Sequence, residues 1–279
     1  MITQAERSYL YEHGYVPEHV PEYVSAISGA EPYLVDDFVA YAGAGRLIFI
    51  GYPIEGSFKA RASERSLRRA LQQFVPERVS LIGPHVPSSI VNTASVSRDH
   101  YYRLEFVGLR IPQKVRNMLS RASREIMVVK SRDFGQEHTA LIEEFLTRHS
   151  VSEGTRSIFA RIPEYVRASE TATLIEARSA EGKLIAFDLT ESGAKEHSFY
   201  LFNFSSGTSY VPGASDLLMG EMIREASVQG KRFMNMGLGI DAGITFFKTK
   251  WGGRPFLPYF GCEYTIPRGD MVKGLLDKL

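Results

Sequence analysis

The stretch Lys248-Thr249-Lys250-Trp251-Gly252-Gly253 gathers residue types that can do chemistry. An ammonium such as Lys248 can neutralise a phosphate or the charge of a tetrahedral intermediate. Trp251 can stack on a base or fill a core, and the two glycines permit a positive φ or a close backbone approach. Lys248 and Lys250 are equally compatible with a solvated pair. Two carboxylates, Glu176 and Asp188, fall inside β-prone runs. Burial there raises a carboxyl pKa and suits the group to act as a base. If the pleat holds, Asp188 faces the same cleft as Asn203. Asn203, Ser205 and Asn235 stand near strand ends, where asparagine ordinarily makes a turn or bonds to backbone. Tyr210 can give a proton to a leaving group. Asp241 fits either a site or the cap of a short helix.

The segment Ser205-Ser206-Gly207-Thr208-Ser209-Tyr210-Val211-Pro212-Gly213-Ala214-Ser215 is rich in small residues and precedes a helical pattern. Such a loop exposes backbone N–H donors, and the helix dipole favours an anion. Ser205, Ser206, Gly207, Gly213 and Ser215 are therefore candidate ligand contacts; a plain loop capped by Ser215 is the alternative. The histidines at 13, 19, 85, 100, 138, 149 and 197 show neither HxH nor HxxxH spacing, so no metal is expected. Neither a Gly-Lys-Ser/Thr nor a Gly-x-Gly-x-x-Gly phosphate loop occurs. The single cysteine, Cys262, forbids an internal disulfide and reads as a buried strand residue. Lys+Arg 33 against Asp+Glu 32 gives a net charge of +1, so no global basic field recruits nucleic acid. Two local basic faces exist, Arg61/Arg65/Arg68 and Lys114/Arg121; a solvated face is the plainer account of both. No apolar run is long enough to span a membrane, no signal-peptide core opens the chain, and the default location is the cytoplasm.

Elements that would position these residues follow from periodicity. Gln4 to His13 reads as a short helix or arm, and 16–32 as irregular, with Pro17 and Pro21 as breakers. Tyr33 to Tyr41 and Arg46 to Tyr52 form a hairpin across Gly43-Ala44-Gly45. A helix over 63–74 and a strand over 79–82 follow. Thereafter the pattern predicts strands at 101–107, 126–130, 171–178, 184–190, 197–204, 231–236 and 258–266. Helices are predicted at 112–124, 136–149, 156–168 (restarting near Pro163), 214–229 and 241–249. The order in the first third echoes the middle of the second half, which suggests a tandem with a boundary near 110–125.

The sequence of hairpin, third strand, long helix, strand, short helix and last strand resembles the GCN5-related N-acetyltransferase fold. Three stretches resemble its branch of Fem-type peptidoglycan aminoacyltransferases and phosphatidylglycerol lysyltransferase catalytic domains. They are Gln229-Gly230-Lys231-Arg232-Phe233 with Asn235-Met236-Gly237-Leu238-Gly239, then Phe246-Phe247-Lys248 with Trp251-Gly252-Gly253, and the basic helix from Lys114 to Arg124. The likeness is clearest from Lys114 to Tyr264. It implies an α+β fold of tandem acyl-CoA N-acyltransferase-like domains, with mixed central sheets flanked by helices. The expected division is a degenerate domain over 1–110 and a site-bearing domain over 111–279.

The resemblance implies direct attack of an amine or hydroxyl on an activated acyl donor, either acyl-CoA or aminoacyl-tRNA, with no tightly bound cofactor. Two parallel strands, 197–204 and 231–236, would splay so that free amides hold the oxyanion. Lys248, Asn203, Asp188 and Tyr210 would then be the reacting set. Ser205, Ser206, Gly207, Gly213, Ser215 and Trp251 would contact the donor. The loop departs from the Gln/Arg-x-x-Gly-x-Gly/Ala pattern that grips the coenzyme A pyrophosphate, which leans toward the aminoacyl branch. A small-molecule or lipid or cell-wall-precursor acceptor and a tRNA partner fit this reading. A non-catalytic ligand- or RNA-binding protein that keeps the cleft, or one that engages tRNA without transfer, is the alternative.

Overall fold

The computed structural model describes residues 1–87, 90 and 95–266. Among the described residues, eleven strands and nine α-helices are taken in chain order. The helices are α1 (Gln4–His13), α2 (Pro21–Ser28), α3 (Ala60–Phe74), α4 (Gln113–Ala122), α5 (Gln136–Arg148), α6 (Glu153–Ala160), α7 (Ile162–Ala168), α8 (Ala214–Val228) and α9 (Ala242–Lys250). The strands are β1 (Glu31–Val35), β2 (Phe38–Gly43), β3 (Arg46–Ile50), β4 (Arg78–Gly83), β5 (Ser95–Glu105) and β6 (Met127–Ser131), followed by β7 (Ala172–Arg178), β8 (Leu184–Glu191), β9 (His197–Ser205), β10 (Phe233–Leu238) and β11 (Arg254–Thr265). The chain forms two compact units. One holds Met1–Tyr102, Leu238–Ile240 and the chain from Pro255; the other holds Arg103–Gly237 and Asp241–Arg254. The last strand, β11, pairs antiparallel with β4 and so completes the first unit's sheet.

In the first unit β1, β2 and β3 form an antiparallel meander, α3 follows, and β4 returns parallel to β3. Residues of β2 and β3 alternate strictly between two cores. Phe38, Ala40, Leu47 and Phe49 join Leu67, Ala70 and Leu71 of α3 on one face. Val39, Tyr41, Ile48 and Ile50 join Leu10, Val16 and Val24 on the other. A sheet covered on both faces explains why these strands read as unbroken apolar runs. Cys262 is a free, buried thiol in the α3-side core.

Two local expectations are corrected. The stretch 16–32 is largely helical, because Pro17 and Pro21 stand at first-turn positions where a missing N–H costs nothing; they start a 3-10 turn and α2 rather than break them. The run 33–41 is two strands, because Asp36, at φ 54, turns the chain between β1 and β2.

The second unit repeats the scheme. β6, β7, β8 and β9 are antiparallel neighbours in sequence, α8 follows, and β10 runs parallel to β9. The strand expected at 231–236 begins at Phe233 and ends at Leu238. Among the described residues no helix is long and apolar enough to cross a membrane.

Val75 ends α3 in the left-handed region (φ 43, ψ 56), donating its N–H to the Leu71 carbonyl at 3.0 Å. A β-branched residue is strained there, whereas glycine is not. Val75 is 53% exposed, so little packing is lost on removing it. Val75→Gly should therefore stabilise the protein by about 1 kcal/mol, read as a higher urea midpoint at unchanged m-value.

Candidate active site

The site begins with one extra residue in a strand. The β8/β9 register runs Thr190↔Tyr200 and then Leu189↔Phe202, so Leu201 has no opposite number. A bulge of this kind bends its strand and sharpens its twist. The parallel β9/β10 register comprises Phe233↔His197, Met234↔Ser198 and Asn235↔Phe199, and stops there. The two strands thus part just before the bulge, although β9 continues to Ser205 and β10 to Leu238. By contrast, β3 and β4 of the first unit, joined through α3 in the same way, stay in register over five pairs from Arg46↔Arg78 to Ile50↔Ile82. The Gly51 N–H adds a further bond to the Ile82 carbonyl at 2.6 Å. The fork belongs to the second unit alone.

Asp188 and Asn203 face each other across β8 and β9 beyond the bulge. The Asn203 amide donates to Asp188 Oδ1 at 2.5 Å, and Ser215 Oγ, in the first turn of α8, approaches Asn203 Oδ1 at 3.4 Å. Asp188 is 0% exposed, and its Oδ2 has no hydrogen-bond partner. Burial pushes its carboxyl up to about 8, against the smaller lowering by the Asn203 amide. Burial, together with the carboxylates of Asp188 and Asp216, holds the Tyr200 phenol well above its ordinary value.

Lys248 enters the fork from α9. It is buried, at 3% exposure. A Cβ placed on Gly237 would stand 3.7 Å from its Nζ and 3.6 Å from the Tyr200 carbonyl oxygen. The ammonium therefore lies beside the end of β10 and the bulged part of β9. Its helix is fixed by the glycine-rich turn that follows. Trp251 and Gly253 donate their N–H groups to the Lys248 carbonyl at 3.2 and 2.9 Å, and Gly252 sits at φ +94. Trp251 is fully buried, and its indole donates to Asp216 Oδ1 of α8 at 2.9 Å, while the Lys250 ammonium meets the same oxygen at 2.6 Å. Asp241 caps α9 by accepting from the Ile244 N–H at 2.8 Å.

The remaining sequence candidates fall into other places. Glu176 lies on the opposite face, paired with Arg178 at 2.6 Å and facing His138. That face carries Phe187 and Phe204 under Phe145 of α5. Asn235 is buried and accepts from the Gly237 N–H at 2.9 Å. Tyr210 is 66% exposed on its loop. Ser205, Ser206 and Gly207 are engaged by α5, and Gly213 lies against α4, whereas Trp251 packs within the core. Sequence reasoning passed over Tyr200, Asp216, Gly237 and Glu144. Strict alternation along β9 would put Tyr200 on the face opposite Asn203, and only the bulge at Leu201 brings the two to one face, so nothing local marks Tyr200, just as nothing local marks Glu144 on its helix. Among the described residues no group of three or more His, Cys, Asp or Glu side chains converges as a metal site.

No family model and no curated protein matches the chain. Solved structures do. L-PGS from Bacillus licheniformis is similar over 99% of this chain and 96% of its own, at 15% identity and a TM-score of 0.59. The crystal structure of FemX is similar over 95% and 96%, at 10% identity and a TM-score of 0.59. A GCN5-related N-acetyltransferase from Kribbella flavida is similar over 90% and 95%, at 12% identity and a TM-score of 0.54. The chain has the GCN5-related N-acetyltransferase fold. A tandem protein of this fold, from the clavulanic acid biosynthesis pathway, is also similar, at a TM-score of 0.51 and 10% identity. The α+β architecture and the fold branch of L-PGS and FemX thus agree with the sequence motifs around Lys248. In this GCN5-related fold the parted strands, the bulge and the buried Lys248 occupy one small region of the second unit.

Gly253 tests how tightly that region is built. A Cβ there would meet Met236 Sδ at 2.6 Å and the Lys248 carbonyl oxygen at 2.9 Å. The second contact is backbone and cannot swing aside, so Gly253→Ala must shift the turn that carries Lys248. A loss of about 1–3 kcal/mol is expected in denaturant unfolding, whereas Gly230→Ala, with open space around its Cβ, costs only its positive φ.

Proposed function

We propose that the second unit transfers an acyl or aminoacyl group to an amine or hydroxyl acceptor by direct attack on an activated thioester or ester. The observation that carries this reading is the fork: two parallel strands part after three residue pairs, and a buried ammonium stands in the gap. The nucleophile's lone pair forms the new bond to the acyl carbon. The carbonyl electrons move to oxygen, where the Lys248 ammonium stabilises the negative charge. Asp188 accepts the nucleophile's proton through its unpartnered Oδ2. On collapse of the intermediate the acyl–sulfur or acyl–oxygen bond breaks, and the same proton passes to the leaving group. Trp251, Gly253 and Asp216 position Lys248 without touching the reacting atoms.

Support also comes from the similar structures, whose names include lysylphosphatidylglycerol synthetase and N-acetyltransferase. Incubation with acetyl-coenzyme A and with charged tRNA, each against a panel of amines and alcohols, tests the reading. Transfer from at least one donor is expected, and none from any of them would overturn it. Lys248→Met keeps the apolar stem and removes the charge; kcat should fall by about 10²–10³ with the fold retained.

Asp188 gives a separate pH signature. As a base it works ionised, so kcat/KM should rise with pH and level off above about 8. Its folded pKa is raised above the unfolded value. The stability it contributes is therefore fully present below about 4 and is lost as pH climbs toward 8. Asp188→Asn keeps an oxygen for the Asn203 amide and cannot ionise. It should flatten the rate profile and also make the protein more stable than wild type at pH 8, by roughly 2–5 kcal/mol. An unchanged rate profile beside a stability gain would leave Asp188 a structural residue.

A further inference from the structure

The loop between β9 and α8 has the composition of an anion site, small residues leading into a helix N-terminus. In the GCN5-related fold it is also where the pyrophosphate of coenzyme A is expected. The residues present do not fit that group. The Gly207 and Thr208 N–H groups both donate to Glu144 Oε1, at 2.5 and 3.1 Å, and Ser206 Oγ donates to Glu144 Oε2 at 3.1 Å. Ser206 Oγ in turn accepts from the Ser209 N–H at 2.9 Å, so the carboxylate organises the whole turn. One helical turn further along α5, Arg148 lies across the loop. Its Nη2 donates to the Ser205 carbonyl at 2.7 Å, and a Cβ on Gly207 would stand 2.6 Å from its Nη1. The far end of the loop is covered as well. Gly213, at φ +89, packs closely on α4, since a Cβ there would stand 3.0 Å from Met118 Cγ and 3.3 Å from Ala122 Cβ.

We infer that Glu144 is a resident anion that closes the β9–α8 loop to diphosphates, and that this residue excludes coenzyme A as the donor. The inference rests on the acyl-transfer reading for its meaning, though not for its test. A diphosphate arriving here would find its amide donors taken and a carboxylate at contact distance, where like charges repel. Burial pushes the Glu144 carboxyl up, but the Gly207 and Thr208 N–H groups, the Ser206 hydroxyl and the Arg148 guanidinium together hold it below the usual carboxylate range. Removal of Glu144 would leave two free N–H groups and the Arg148 guanidinium around one opening, which is the make-up of a phosphate site. The donor this loop permits is one whose acyl carrier docks no diphosphate upon it.

Calorimetric titration of the full chain with inorganic pyrophosphate and with coenzyme A, at low salt, tests the inference without measuring transfer. Wild type should show no saturable binding at millimolar ligand. Glu144→Ala should bind both ligands at least about tenfold more tightly, a gain of about 1.4 kcal/mol, and adding Arg148→Ala should abolish that gain. A folded Glu144→Ala that binds no better than wild type would overturn the inference. Amide NMR of the wild type decides the matter even if the variant does not fold. The Gly207 and Thr208 resonances should stay unmoved by pyrophosphate or coenzyme A, and saturable shifts at those two amides would refute the closed loop. Binding gained by Glu144→Ala, with no transfer from any donor, would leave this inference standing and refute the acyl-transfer reading instead.

Discussion

A parallel strand pair is held together by evenly spaced hydrogen bonds, and it stays closed as long as both strands keep the same course. Leu201 breaks that condition in β9. The strand is committed to β8 on its other edge, where the register resumes at Leu189↔Phe202, so the extra residue is absorbed by bending away from β10. The first unit shows what happens without it. There the strand–helix–strand connection closes fully, and Gly51 and Gly83 allow the backbones to stay so close that a Cβ on Gly83 would stand 3.1 Å from the Gly51 Cα. Two copies of one topology therefore end as a packed sheet in one unit and as a fork in the other.

A gap in a sheet does little chemistry unless a charge is kept in it. Keeping an ammonium at 3% exposure is costly, because desolvation disfavours the charged form. The turn after α9 shows how Lys248 is held there. The Lys248 main-chain carbonyl accepts the N–H groups of Trp251 and Gly253, so the backbone from which the side chain enters the fork is fixed. Trp251 ties the turn to α8 through Asp216, and Gly253 lets Met236 of β10 close over it. The helix, the turn and the strand that line the fork are thus parts of one clamp on Lys248.

Much of this arrangement was legible in the sequence. Element order and the Phe-Lys-x-x-Trp-Gly-Gly run identified the fold branch, since glycines and an indole at fixed offsets report a turn geometry rather than a mere composition. Of the two readings of Asp241, the cap matched, because caps are local. Features set by distant residues were illegible. The bulge at Leu201 depends on the register with β8, and no residue type at 199–202 announces it. Glu144 looks like any helical carboxylate, and its role appears only when the fold brings it 63 residues along the chain to Gly207. Pro17 and Pro21 misled because proline is compatible with both a break and a first helical turn.

The carboxylates buried in the second unit separate structural groups from one with capacity to spare. Glu191 is 0% exposed, yet it accepts from the Tyr165 and Ser169 hydroxyls at 2.5 and 2.8 Å and from the Gly193 N–H at 2.6 Å. Glu176 holds the Arg178 guanidinium, which also reaches Glu137. Both are satisfied in the way buried charges in folded proteins ordinarily are. Asp188 is as deeply buried and has one donor, the Asn203 amide, on one oxygen. Simple stability would favour a second donor or an apolar side chain at that position, since a half-satisfied carboxyl is worse than either. The oxygen left open on the face of the sheet where α8 meets the parted strands is what the base proposed for the transfer requires.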